Sequence, residues 1–214
     1  MDNLINRITI GDARELAKQI PNQSVDMIFC DPLYDQTKDY EWLAMTAQRV
    51  LKPDKACLVF CSDIKMFRIQ QVMRKYLNFV KPLYYTVRAK TSCLRGYNVF
   101  TWTTPCLWFA LGNGLPRKRT IDTVISTALP PRAKERHKFN KNLEAYHKWV
   151  NDFTHPNDII LDPFTGSGSL PLVCSHLKRR FIAFEIDPDE AILARERLEK
   201  LSWWDWNTPD PTPR

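Results

Sequence analysis

Short apolar runs alternate along this chain with amphipathic stretches of helical period, and that alternation restricts the fold more than any other feature. Within the first 80 residues, "RITI", "VDMIFC" and "ACLVFCS" read as strands, each followed by a helical stretch: "DARELAKQI", "YEWLAMTAQRVL" and "IKMFRIQQVMRKYL". Further on, "FVKPLYYTVRAK" and "TPCLWFAL" read as strands separated by a loop around Arg95 and Gly96. The helix "NLEAYHKWVNDFT", the strand "DIILDPF", the helix "SLPLVCSHLK", the strand "RFIAFEI" and a last helix opened by Pro188 complete the series. Strands joined through helices favour a mostly parallel sheet with helices on both faces, the α/β class. The chain has 214 residues and is 44% apolar, enough for one domain with a sizeable core.

The composition narrows the partners. A net charge of +7 and a pI near 9.1 point to a polyanion such as nucleic acid. No apolar run reaches the ~18 residues that a membrane span needs, and "MDNLINRITIGD" lacks the basic and then apolar regions of a signal peptide. The expectation is a soluble, cytoplasmic (intracellular) protein with no membrane partner. Cys30, Cys57, Cys61, Cys93, Cys106 and Cys174 lie mostly in apolar contexts, with no CxxC pair and no histidine at zinc-ligand spacing. They read as reduced, buried thiols, and no metal is expected.

Residues 158 to 187, "DIILDPFTGSGSLPLVCSHLKRRFIAFEID", carry the strongest local signal. An apolar strand runs into Thr165-Gly166-Ser167-Gly168-Ser169, a helix follows, and the next strand ends at Glu185. Glycines at such a turn let the backbone approach a ligand, and an acidic side chain about twenty positions on can accept hydrogen bonds from ribose hydroxyls. Pro171 stands where a dinucleotide fingerprint has its third glycine, and the Gly-Lys-Ser/Thr of a phosphate loop is missing. A nucleoside without a pyrophosphate fits better, and S-adenosylmethionine is the commonest such cofactor.

A second signal is "SVDMIFCDPLYDQ", residues 24 to 36, where an apolar strand ends abruptly in Asp31, Pro32, Leu33 and Tyr34. An ordinary strand-ending turn also uses Asp and Pro. Taken with the glycine loop, the stretch resembles the DNA amino-methyltransferases, which methylate exocyclic nitrogens of adenine or cytosine. "LDPFTGSGS" looks like their cofactor motif, and "DPLY" is similar to their Asp-Pro-Pro-Tyr. "GDARELAKQIPNQSVDMIFCDPLYD" follows the family pattern of Gly-Asp, helix, Ser-Val-Asp, strand and tetrapeptide. The catalytic motif precedes the cofactor loop, the order of the circularly permuted β class. The resemblance covers most of residues 8 to 112 and 137 to 198.

The resemblance implies a single Rossmann-like methyltransferase domain with a mostly parallel central sheet, helices on both faces and an antiparallel edge strand. The catalytic half would span about 1–112, a basic target-recognition segment about 113–138 and the cofactor half about 139–201, with an irregular tail at 202–214. Cofactor contacts would come from Asp12, Asp31, Lys141, Asp162, Phe164, Gly166, Ser167, Gly168 and Glu185. Lys141 is assigned through "HKFNKNL", a worn version of a family stretch in which Lys138 and Asn142 replace prolines.

Asp31, Pro32 and Tyr34 would be catalytic. The amino nitrogen of adenine or cytosine is a poor nucleophile because its lone pair is delocalised into the ring. A carboxylate and a fixed carbonyl accepting its hydrogens stabilise the charge that develops on attack. A base inside a duplex would have to be flipped out, and Tyr34 would offer it a stacking face. Leu33, in place of a second proline, would touch the substrate. Asp in the first motif position is more typical of adenine-N6 enzymes and Ser of cytosine-N4 enzymes, so adenine is favoured.

Pro105-Cys106 has the look of a cytosine-C5 nucleophile, but it lies in an apolar strand and the accompanying Glu-Asn-Val motif is missing. Residues 116 to 138 hold Arg117, Lys118, Arg119, Arg132, Lys134, Arg136 and Lys138 against Asp122 and Glu135, which is +5 of the chain's +7. Arg117, Lys118 and Arg119 would contact phosphates, which position a duplex without reading its sequence. The segment is short for a complete recognition domain, which suggests limited specificity or action as a homodimer. Trp203, Trp204 and Trp206 would stack on bases or pack on the sheet edge. Three readings remain open: adenine-N6 methylation of DNA, cytosine-N4 methylation of DNA or methylation of an RNA base, and an inactive nucleic-acid-binding subunit.

Overall fold

An eight-stranded mixed sheet, covered by helices on both faces, organises the protein in a computed structural model that describes residues 1–33, 36–87, 92–94, 99–101, 103–116, 120–127 and 143–201. In chain order the elements begin with β1 (Arg7–Ile10), α1 (Ala13–Leu16), β2 (Val25–Cys30), α2 (Thr37–Val50), β3 (Leu51–Phe60) and α3 (Met66–Met73). The middle comprises β4 (Asn78–Val87), β5 (Ser92–Leu94), β6 (Val99–Thr101), β7 (Thr103–Leu111) and β8 (Val124–Thr127). The chain then forms α4 (Leu143–Phe153), β9 (Ile159–Asp162), α5 (Ser169–His176), β10 (Arg180–Glu185) and α6 (Pro188–Leu201). The sheet order is β1-β10-β9-β2-β3-β7-β4-β8, and β5 and β6 form a separate antiparallel pair.

Every neighbour pair is parallel except β3·β7 and β4·β7, so β7 alone runs against the other seven strands of the sheet. The expected antiparallel edge strand is therefore corrected: β7 is interior, because β4 and β8 pair outside it and β8 takes the edge. The strand β8 also falls within a stretch read as aperiodic. It is recruited by pairing with Tyr84–Val87 of β4 rather than by its own pattern. The helices α1 and α3 are shorter than their amphipathic stretches; α1 passes into a 3₁₀ turn at Ala17–Gln19.

The strand β2 is buried along its whole length, as expected of a central parallel strand. Its side chains supply both halves of the core, with a register shift between Val25 and Met27. Val25, Ile28 and Cys30 pack with α1, α2 and α3, whereas Met27 and Phe29 pack with α4. Phe29 stacks on Tyr146 at a centroid distance of 4.6 Å, and both adjoin Phe60. Among the described residues, Cys30, Cys57, Cys61, Cys106 and Cys174 are buried and form no disulfide, and burial raises the Cys57 thiol to about 12. Cys106 is fully buried in β7 and paired opposite Phe60 and Leu83, a structural position. No helix of the described residues is long and apolar enough to cross a membrane.

The topology leaves one crevice. From β9 the chain crosses through α5 to β10 on one side, and from β2 it crosses through α2 to β3 on the other. Neighbouring parallel strands that depart in opposite directions open a cleft at their carboxyl ends, the usual ligand position in open α/β sheets.

Candidate active site

Both sequence signals arrive at that cleft. Strands β2 and β9 pair in parallel with Ile28 beside Leu161, so Asp31 and Phe164, each three residues further on, leave the sheet at the same level. On the far side of β9, Ala183 pairs with Asp162 and Ile10 with Glu185. Asp12, Asp31, Asp162 and Glu185, widely separated in sequence, thus gather around the ends of β1, β10, β9 and β2. Asp31 is half-buried, Pro32 buried and Leu33 exposed.

Asp162 is 4% exposed and organises the turn after β9: one carboxylate oxygen accepts from Thr165 Oγ1 at 2.9 Å and the other from the Phe164 amide at 3.2 Å. Burial raises its pKa to about 7. The nearby charges of Asp31 and Glu185 push the same way, while the bonds from Thr165 and Phe164 oppose the shift. The Asp31 charge also acts on Cys30 and Tyr40, whose proton loss burial disfavours first. These carboxylates face one another across the crevice, an arrangement suited to a cationic ligand.

Glu185 pins the glycine loop. Its Oε2 accepts from Gly166 N at 2.7 Å and its Oε1 from Asp187 N at 3.0 Å, which leaves each oxygen a further lone pair. The two glycines have different tasks. Gly166, at φ +48°, has open space where a Cβ would stand, the cradle a closely approaching ligand needs. Gly168, at φ +77°, caps α5, and a Cβ there would lie 3.0 Å from that of Ala194 on α6. The Ser167 carbonyl accepts from Arg197 Nη1 at 3.0 Å, so the loop is also tied to α6. Asp12 caps α1 by accepting from Arg14 N at 2.8 Å.

One wall of the cleft was not foreseen from the sequence. Arg14 of α1 forms an ion pair with Asp39 of α2 and lies over Trp42, 5.7 Å from the ring centroid. The Trp42 ring meets Phe164 edge-on at 5.9 Å. Through these contacts α1, α2 and the turn after β9 hold one another in place. Tyr34, Lys141, Arg117, Lys118, Arg119 and the tail tryptophans lie outside the described residues. Among the described residues, no group of three or more His, Cys, Asp or Glu side chains is placed to hold a metal ion.

Residues 102–196, which include the glycine loop and Glu185, match the family described as DNA methylase, the N6/N4 methyltransferases. The type II methyltransferase M.HpaI of Haemophilus parainfluenzae is 28% identical over 236 residues, covering 90% of this chain and 74% of that protein. The chain is similar to the N6/N4 DNA methylases. Solved structures repeat this fold. The M1.HpyAVI–SAM complex superposes with a TM-score of 0.75 at 24% identity, over 90% of this chain and 98% of that one. The cytosine-N4-specific PvuII DNA methyltransferase superposes with a TM-score of 0.79 at 17% identity, over 94% and 87%. The family match begins after residue 101, so the Asp31-Pro32 pair is linked to it by the sheet and not by the matched segment.

Proposed function

We propose that the chain methylates an exocyclic amino nitrogen of a flipped base in DNA, with adenine N6 as its target and S-adenosylmethionine as methyl donor. The observation that carries this reading is the parallel pairing of Ile28 with Leu161, which puts Asp31-Pro32 and the glycine loop on opposite lips of one crevice.

The residues present fit that cofactor. Open space at Gly166, spare lone pairs on Glu185 for ribose hydroxyls, and an acidic cluster suited to a net positive ligand are what a nucleoside bearing a sulfonium and an ammonium requires. When bound, S-adenosylmethionine supplies an electrophilic methyl group whose C–S bond breaks as the C–N bond forms. The protein's own part is positioning and electrostatics. Asp31 and the Pro32 carbonyl accept the amino hydrogens and face the positive charge that develops on nitrogen. The proton shed after transfer passes toward the same carboxylate. Phe164, braced by Trp42, forms the floor of the cleft. Tyr34 stacks on the base, Asp12 lies toward the adenine of the cofactor, and Lys141 assists at the cofactor. Arg117, Lys118 and Arg119 hold phosphates, and the enzyme acts as a homodimer or on a short site. Asp as the first residue of the tetrapeptide favours adenine over cytosine.

Methyl transfer from labelled S-adenosylmethionine to DNA tests the proposal. Wild type should incorporate label, and Asp31→Ala, assayed at saturating cofactor, should lose about 10²–10³-fold in rate, the scale of removing one preorganised electrostatic partner. Equal incorporation by both would remove Asp31 from the chemistry.

A further inference from the structure

Two large apolar side chains stand exposed beside the proposed base pocket, on the opposite side from the cofactor. They belong to the turn that leaves β3 and enters α3: Ile64 is 68% exposed and Phe67 70%. The strand β3 is the immediate parallel neighbour of β2, with Cys30 beside Val59, so this turn and the Asp31-Pro32-Leu33 segment leave the sheet at adjacent positions. Leu33, at 69% exposed, extends the same apolar rim. The turn is tied down on both sides. Its backbone closes through Lys65 N to Ser62 O at 3.1 Å and Ile69 N to Lys65 O at 2.9 Å, while Ile69 and Met73 anchor α3 in the core.

Phe67 stands in the first turn of α3 and Ile64 in the turn just before it, and the basic Lys65 and Arg68 each follow one of them in sequence. Lys38, exposed in the first turn of α2, is a further cation on the segment that follows Leu33. Apolar tips flanked by cations, projecting from a fixed turn next to a base pocket, match a duplex whose bases are being separated. The cations meet phosphates, and the apolar wedge fills the gap that an extruded base leaves.

We infer that Ile64 and Phe67 form a wedge that enters the DNA stack and holds the target base out of the duplex. This assignment rests on the base-methylation reading above. The two residues are positioning residues: they touch the vacated stack, not the reacting nitrogen. Their contribution is confined to substrates in which a base must be unstacked, because a base already unpaired needs no wedge.

The test compares methylation of native genomic DNA with that of the same DNA heat-denatured, using the full chain as wild type, Phe67→Ala, Ile64→Ala and Phe67→Leu. Phe67→Ala and Ile64→Ala should each lower the rate on native duplex by roughly tenfold or more, since unstacking one step costs a few kcal/mol. Rates on denatured DNA should stay within about twofold, and Phe67→Leu should recover most of the duplex activity because Leu is also a competent wedge. Equal losses on both substrates, or none on the duplex, would overturn the wedge. So would a change in the sedimentation of the free protein that accompanies equal losses, which would assign the face to a second copy of the chain. Failure of wild type to methylate either form of DNA would instead overturn the base-methylation reading, so the two failures are separable.

Discussion

Asp162 is a buried carboxyl group in the proposed cofactor site, and its protonation would link the fold to that ligand. Its pKa is raised from 3.8 to about 7, so between those values the folded state holds a proton that the unfolded chain has already released. Its contribution to stability is therefore full below about pH 4 and is lost as the pH rises toward 7. A urea-denaturation series from pH 4 to 8 should show this downward component in wild type and not in Asp162→Asn. The sign for binding is opposite: a cation favours the ionised carboxylate, so affinity for S-adenosylmethionine should rise from pH 6 to 8, and calorimetry should find that rise blunted in Asp162→Asn. The two glycines separate in the same way. Gly168→Ala places a Cβ against Ala194 at a left-handed backbone and should lower stability by about 1–3 kcal/mol, read as a fall in thermal midpoint. Gly166→Ala meets open space, so its stability loss should be smaller, about 1 kcal/mol, while cofactor affinity falls because the new methyl enters the cradle. The sequence exposed these residues because loop, acid and tetrapeptide are each local patterns. It concealed the Glu185 carboxylate's grip on Gly166 N and the Arg14–Asp39 pair, since residues 19 and 25 positions apart meet only after the sheet has formed.

The strand β2 shows how an element serves a site it does not itself complete. Burial on both faces fixes its height and tilt, and the Phe29 ring, two residues before Asp31, is locked against Tyr146, Phe60 and Trp149. Phe29→Ala should cost about 3–5 kcal/mol, measured by chemical denaturation, and should reduce methyl transfer beyond the loss of folded protein because the following carboxylate loses its support. Central parallel strands were readable from the sequence, since burial on both sides makes them continuous apolar runs. The strand β8 was not: four residues within a basic stretch carry no periodicity, and what makes them a strand is the edge of β4 some forty positions earlier. The interior position of β7 was hidden for the same reason, because sheet order is set by which chain later covers an edge.

Charge divides the molecule as a whole. The chain is basic, with +5 of its +7 between residues 116 and 138, yet acidic side chains converge at the ends of β1, β10, β9 and β2. A polyanion held by those cations and a cationic cofactor held by the carboxylates would use both parts of this distribution. Replacing Arg117, Lys118 and Arg119 together by Ser should weaken DNA binding similarly for all sequences and flatten its salt dependence, by a slope of about 0.9 for each phosphate no longer neutralised. Cofactor affinity should be unchanged. The most direct test of the proposed activity is nucleoside mass spectrometry of unmethylated DNA incubated with S-adenosylmethionine and either wild type or Asp31→Ala. N6-methyladenine produced by wild type and lost in the variant is the expected result. N4-methylcytosine in its place would overturn the choice of base, and unmodified DNA after incubation with folded, cofactor-binding wild type would contradict the proposed activity itself.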